Sequence, residues 1–330
     1  MVKLKSILII ETLVILMLLA YIVVPKIINK NEAKKERLLS PRVYEGILEP
    51  KSFLIVNYAP LKNDIDSFIQ KNELNVSVYI ENIRSGAFVG VNERKGYSPA
   101  SLNKVLTAIL IMKKVEDGEL SIDSEIEITD KDRSSAFGDL YKTKENKLPL
   151  RVLLEKMLKE SDDTAFFVLN RMADPEDRSL IMAYMDYYSD ESTDKTKPGE
   201  DSEYGLVTPK SMYNIFSSLY LSTILKPENS EYILSLLTNT VFDINEIADL
   251  PKNVTVAHKF ATKYTGNDKF FHDCGIIYIE NGRVFYCVMT KDLDSKTAIE
   301  LIGAIVHDIY RYHTGTRDTL DYYKKLYHYD

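Results

Sequence analysis

The amino-acid sequence predicts an α/β fold of the α+β type, with an antiparallel sheet of about five strands flanked by helices. Alternating apolar residues indicate two strands near residue 80 and three more after residue 254. Apolar residues at helical spacing fill the middle of the chain and return near its end. We therefore expect a sheet built from both ends of the chain, an all-α subdomain inserted between them, and an N-terminal transmembrane helix.

The composition indicates a folded protein and argues against a nucleic-acid partner. The chain has 330 residues, of which 45% are hydrophobic, and its net charge is −7. A chain of this length suggests about two domains. No basic stripe that could follow a nucleic-acid backbone is present.

An apolar run over residues 7–24 predicts a membrane span. Spanning takes about 20 apolar residues, and no small-residue cleavage site follows, which favours a signal anchor over a removed signal peptide. A buried core helix is the alternative. Most nearby lysines follow the run, and the positive-inside rule alone would therefore leave the rest of the chain in the cytoplasm. Long domains, however, translocate largely regardless of such charges. We expect a single-pass cell-membrane protein with an anchor at 1–30, a linker and lead-in at 31–74, an extracytoplasmic domain at 75–313 and a tail at 314–330.

The elements of the domain follow in chain order. A hairpin is predicted over residues 75–92, with its turn at Ser85-Gly86. Apolar spacing and capping residues predict helices at 98–118, 149–159, 164–172, from Thr208-Pro209 onward, 231–239, 244–250 and 295–313. The intervening predictions are an extended segment at 121–129, a polar loop at 134–146, a loop-rich acidic insert at 174–203, a strand at 254–261, a loop to 273 and a hairpin at 275–289.

The two cysteines, Cys274 and Cys287, flank the last predicted hairpin. With the turn at Asn281-Gly282, Cys287 faces Ile276, and Cys274 becomes its diagonal neighbour, roughly 7–8 Å away. This separation is slightly beyond easy disulfide reach. We therefore expect two reduced thiols.

The helix predicted at 98–118 carries Ser101 and Lys104 on one face, at positions i and i+3. Its other residues leave almost no polar face, so the helix should be surrounded by protein. A serine needs a base to become a nucleophile, and a buried lysine loses proton affinity and can serve as one. The alternative is that Ser101 caps the helix while Lys104 extends its amine to solvent.

Two further stretches carry candidate functional residues. Ser161-Asp162-Asp163 lies at a helix junction, where side chains can point into a cleft; plain helix capping is the alternative. Lys259 lies on the predicted strand in VAHKFA, on the same face as Thr255 and Ala257. A solvated edge-strand lysine is the alternative there.

Taken together, these three stretches resemble the serine β-lactamase and penicillin-binding protein superfamily, and specifically its class A β-lactamase branch. The resemblance covers residues 75–313, through SPASLNKVLTAILI, LPLRVLLEKMLKESDDTA, LVTPKSMYNIFSSLY, VAHKFA and HDCGIIYIENGRVFYCVMT. The order and rough spacing of the motifs agree with that branch, which is more specific than any single motif.

The resemblance implies a role for each residue. Ser101 would be the acylated nucleophile, Lys104 its base or proton relay, and Ser161 the proton shuttle to the leaving nitrogen. Lys259 would supply positive charge near the substrate carboxylate. The oxyanion hole would use the backbone N–H of Ser101 and one on the strand just after Lys259. No metal or other cofactor is required.

The sequence departs from the family pattern at substrate-binding positions. Asp163 stands where the family has an asparagine, and an ionised carboxylate only accepts hydrogen bonds. Phe260 and Ala261 follow Lys259 where the family has Thr or Ser and then Gly, so a hydroxyl that helps hold the substrate carboxylate is missing. The acidic insert lacks the family's Glu-x-x-Leu-Asn. Glu176, Glu200 and Glu203 are candidates for the deacylation base only by their location.

Two hypotheses of different classes follow. The first is a membrane-anchored serine hydrolase that attacks a β-lactam or peptidoglycan-type amide through an acyl-Ser101 intermediate; a cell-wall transpeptidase or carboxypeptidase shares this chemistry. The second is a non-catalytic binding module on the same scaffold, for a cell-wall peptide or a protein partner. The expected partners are a small-molecule or peptide substrate and the membrane, without nucleic acid.

Overall fold

The sheet of the structure, a computed structural model, contains five strands, all paired antiparallel in the order β2-β1-β7-β6-β5. The strands, with the short separate pair β3 and β4 included, are β1 (Val76–Asn82), β2 (Phe88–Val91), β3 (Glu125–Glu127), β4 (Lys147–Pro149), β5 (Thr255–Thr265), β6 (Asp268–Ile279) and β7 (Gly282–Lys291). The predicted antiparallel sheet, built from both ends of the chain, is confirmed. Strand β5 forms one edge of it.

The structure describes residues 58–184, 205–265, 268–279 and 282–327. The predicted membrane span at residues 7–24 lies outside these ranges. Among the helices that are described, none combines the length and apolar character needed to cross a bilayer.

Helices cover both faces of the sheet. In the described ranges they are α1 (Ala59–Lys71), α2 (Asn103–Glu116), α3 (Leu150–Lys159), α4 (Asp163–Met172), α5 (Pro175–Tyr184), α6 (Pro209–Tyr220), α7 (Pro227–Leu237), α8 (Ile244–Ile247) and α9 (Ser295–Tyr327). Helices α2, α3, α4, α6 and α7 share one apolar core with the first face of the sheet. Helices α1, α8 and α9 share a second core with the opposite face. The helical insertion predicted for the middle of the chain is thus confirmed.

Several predicted boundaries are wrong, for identifiable reasons. The helix predicted from Ser98 begins at Asn103, because a 3₁₀ turn at Ala100–Leu102 precedes it. The acidic insert begins with helix α5 rather than a loop. Of the predicted loop from 262 to 273, residues 262–265 and 268–273 are instead paired strand, because β5 and β6 continue their ladder to Thr265 and Asp268. The closing helix continues past residue 313.

The prediction of two reduced thiols is also wrong, because Cys274 and Cys287 form a disulfide. Strands β6 and β7 pair Ile279 with Gly282, which moves the register by two residues from the predicted one. The two cysteines are therefore directly opposite each other, with their Cα atoms 3.9 Å apart.

A buried polar network ties β5, β6 and β7 together on the face away from the inserted helices. Asp273 is completely buried and accepts a hydrogen bond from the Tyr286 hydroxyl at 2.5 Å. Its other carboxylate oxygen lies 2.8 Å from Nδ1 of His258, whose Nε2 lies 2.9 Å from the hydroxyl of Thr240. Burial raises the pKa of Tyr286 well above its ordinary value, so Tyr286 remains a hydrogen-bond donor.

Replacing Tyr286 by phenylalanine should destabilise the fold, because it removes a donor from a buried carboxylate. We expect Tyr286→Phe to lower the free energy of unfolding by about 1–3 kcal/mol in denaturant titrations. Tyr232→Phe is the matched control, since the Tyr232 hydroxyl is buried without a partner among the described residues. That variant should be neutral or stabilising, and an equal loss in both variants would contradict the role given to the network.

Candidate active site

Ser101 lies in the 3₁₀ turn that leads into α2, at the entrance of a cleft between that helix and the edge strand β5. The preceding residue, Ala100, has φ +47°, a left-handed conformation that is costly for a residue with a side chain. Strained backbone of this kind persists only where the surrounding structure enforces it. The surrounding packing therefore holds the Ser101 hydroxyl in a defined position.

Lys104 connects three residues of the site. Its Nζ lies 3.1 Å from Ser101 Oγ and 3.2 Å from Ser161 Oγ. It also donates to the backbone oxygen of Ser161 at 2.5 Å and to Asp163 Oδ1 at 2.6 Å. The side chain of Lys104 is only 2% exposed. The alternative in which this amine reaches solvent is therefore excluded.

Ser161 and Asp163 enter the cleft from the junction between α3 and α4. Ser161 ends the first helix with φ +56°, and the buried Asp162 caps the second by accepting from the N–H of Ala165 at 2.9 Å. Asp162 also accepts from two N–H groups of the loop after Gly138. A side chain at Gly138 would collide with Asp162, so this position requires glycine. Capping thus belongs to Asp162, which leaves Ser161 and Asp163 to face the cleft.

Lys259 reaches the same hydroxyl from the sheet. It is completely buried, and its Nζ donates to Ser161 Oγ and to the backbone oxygen of Phe260, each at 2.9 Å. The alternative of a solvated edge-strand lysine is therefore wrong. Two lysine amines from distant parts of the chain thus meet at the hydroxyl of Ser161.

Burial determines the proton affinities of the two amines. It lowers the pKa of Lys104, and the nearby carboxylate of Asp163 opposes that shift. Burial, followed by the charge of Lys104, lowers the pKa of Lys259 well below its ordinary value. Like charges this close disfavour double protonation. The site therefore favours a state in which one of the two amines is neutral, and the pair titrates as a coupled unit.

The cleft has a volume of ≈ 900 Å³. Its described lining combines the polar residues above with aromatic rings from Phe137, Phe166, Phe167, Phe260 and Tyr264. Sequence reasoning did not single out Phe137, Phe167 or Thr262, because a cleft wall leaves no period or motif in a sequence.

The residues predicted to bind substrate lie in different places. Asp163 and Phe260 line the cleft, whereas Ala261 is completely buried and contributes to the core on the helical side of the sheet. Of the three candidate deacylation bases, Glu176 lies in the first turn of α5 and is absent from the described lining. Glu200 and Glu203 lie outside the described residues. Within the described ranges, no cluster of three or more His, Cys, Asp or Glu side chains could hold a metal ion.

The chain that builds this cleft belongs to a known family of proteins. A family model described as the Beta-lactamase enzyme family matches residues 60–313, so the chain is a member of that family. Among curated proteins, Beta-lactamase VEB-1 of Pseudomonas aeruginosa is 21% identical over 275 residues, which cover 78% of this chain and 92% of that protein.

Solved structures show the same fold. A beta-lactamase from Sphaerobacter thermophilus matches with a TM-score of 0.67 and 19% identity over 78% of this chain and 97% of its own. The TLA-3 extended-spectrum beta-lactamase matches with a TM-score of 0.66 and 18% identity, over 77% of this chain and 99% of its own. PBP-A, solved as the acyl-enzyme complex of its L158E mutant with penicillin G, matches with a TM-score of 0.64 and 21% identity, over 76% of this chain and 96% of its own.

Proposed function

We propose that this protein is a membrane-anchored serine hydrolase that cleaves a β-lactam or peptidoglycan-type amide through an acyl-Ser101 intermediate. One observation carries the proposal: Lys104 Nζ lies within hydrogen-bond reach of both Ser101 Oγ and Ser161 Oγ. A nucleophile, a base and a proton donor for the leaving group are thus connected by hydrogen bonds. The apolar run at residues 7–24 supports the anchoring, with the domain outside the cytoplasm.

In the first step, neutral Lys104 takes the proton of Ser101 as Oγ attacks the carbonyl carbon. The developing oxyanion would receive hydrogen bonds from the backbone N–H of Ser101 and that of Thr262. Thr262 supports this role because it lines the cleft from the edge strand β5, whose outer backbone groups have no neighbouring strand among the described residues.

In the second step, the C–N bond breaks and the leaving nitrogen needs a proton. Ser161 Oγ can donate its own proton and recover one from Lys104, which lies 3.2 Å away. Lys259 holds that hydroxyl in place from the other side at 2.9 Å. Water then attacks the acyl carbon, which frees the acid and returns the proton to Ser101.

A non-catalytic binding module is the second candidate function. The observation that favours it is the contact of 2.6 Å between Lys104 and Asp163, since a carboxylate at this distance stabilises the protonated amine. A lysine held in that form could not act as a base. The two candidates differ in whether Ser101 becomes covalently modified.

Replacement of the nucleophile distinguishes directly between the serine hydrolase and the binding module. A fluorescent penicillin or a fluorophosphonate should add one probe mass to the wild-type protein and none to Ser101→Ala, as measured by intact-protein mass spectrometry. Ser98→Ala, which removes another hydroxyl from the same cleft, should still be modified. The absence of any adduct on the wild type after long incubation, with ligand binding that survives Ser101→Ala, would favour the binding module.

The pH profile of modification should respond to the charge at Asp163. This carboxylate raises the pKa of Lys104 against the lowering effect of burial. Asp163→Asn removes that charge, so Lys104 should lose its proton at a lower pH. The rising limb of fluorophosphonate modification against pH should therefore move to lower pH, with faster modification near neutrality.

The control for this experiment is Asp130→Asn, which removes a fully solvent-exposed carboxylate outside the cleft and should leave the profile unchanged. An Asp163→Asn profile that stays in place or moves to higher pH would contradict the role of Lys104 as the base.

A further inference from the structure

Phe260 separates Lys259 from the cleft. The Lys259 amine lies 4.2 Å from the centre of the Phe260 ring. That ring also stacks on Phe242 at 5.2 Å and meets Phe137 edge-on at 5.8 Å. Both hydrogen bonds of Lys259 go to protein oxygens, and its side chain has no exposed surface. A ligand in the cleft therefore meets aromatic carbon where it would otherwise reach the Lys259 amine.

On the Lys104 side of Ser101, the charge that a ligand meets is negative. The carboxylate of Asp163 is 21% exposed, whereas its partner Lys104 is only 2% exposed. A second anion held several ångströms from a partly buried carboxylate loses about tenfold or more in affinity. A further cation, Lys263, lines the cleft, with its Nζ 3.4 Å from Ser98 Oγ.

Exposed aromatic surface is concentrated in the same cleft. Phe137, Phe167 and Tyr264 are 37%, 43% and 62% exposed, respectively, and all three line it. Solvent-exposed aromatic rings grouped around a concave site mark a place where an apolar ligand is bound.

We infer that the site takes acyl donors with an aromatic or apolar group, and no carboxylate, on the side that meets Phe137 and Phe260. The inference rests on the proposed acyl-Ser101 chemistry and specifies its substrate class. The reaction is unchanged: the Ser101 Oγ–C bond forms, the bond to the leaving group breaks, and the leaving group takes the proton.

Benzylpenicillin and its methyl ester form a matched pair of probes that differ only in the charged carboxylate. We expect the second-order rate constant for acylation of wild-type Ser101, followed by intact mass, to be at least about tenfold higher for the ester. Phe260→Thr removes the ring over Lys259 and introduces a hydroxyl, so this preference should fall, although the carboxylate of Asp163 remains. Phe68→Thr, at an exposed ring on α1 outside the cleft, should leave both rates unchanged.

Phe260 is buried, so Phe137→Thr in the more exposed loop provides a second test should Phe260→Thr fail to fold; it should also reduce the ester preference. Equal rates for the acid and the ester in the wild type would overturn the inference and leave the proposed function intact. So would an ester preference that is unchanged in both variants, or a wild type that prefers the acid and loses that rate in Lys263→Met. Fluorophosphonate labelling of Ser101 without reaction of either penicillin would also overturn the inference alone, whereas the absence of all labelling would overturn the proposed function.

Discussion

The placement of two lysine amines in one buried site is the constraint on which the rest of this structure depends. An unpaired charge inside a protein is so costly that the group changes its protonation state or acquires partners. Lys104 and Lys259 do both, because they share the hydroxyl of Ser161 and their pKa values are lowered. The groups that surround them are therefore fixed by electrostatics as much as by packing.

The fold provides these partners from three separate parts of the chain. The 3₁₀ turn before α2 presents Ser101, the junction after α3 presents Ser161, and the edge strand β5 presents Lys259. The apolar core on the helical face of the sheet holds these elements in register. The departures from the family pattern at Asp163 and Phe260 leave the hydroxyl groups and amines in contact while changing what a ligand meets in the cleft.

The sequence predicted the sheet and most helices, because these depend on local periodicity and capping. The order of its motifs, through the family resemblance, predicted the grouping of Ser101, Lys104, Ser161 and Lys259. The sequence could not predict burial of Lys259, since a strand sequence does not show what covers its face. It misplaced Cys274 by two positions, because the register depends on a turn whose geometry composition does not determine. The aromatic wall of the cleft joins α4, β5 and the loop at Phe137, which become neighbours only in the folded protein.

The most direct measurement is an NMR titration of protein labelled with ¹³C at the lysine side chains, with the two signals assigned by Lys104→Met and Lys259→Met. The account predicts that both amines lose their protons below the ordinary lysine pKa of about 10.4. Titration of either amine at or above that value would contradict it, and for Lys104 it would mean that no neutral amine lies beside Ser101 near neutral pH.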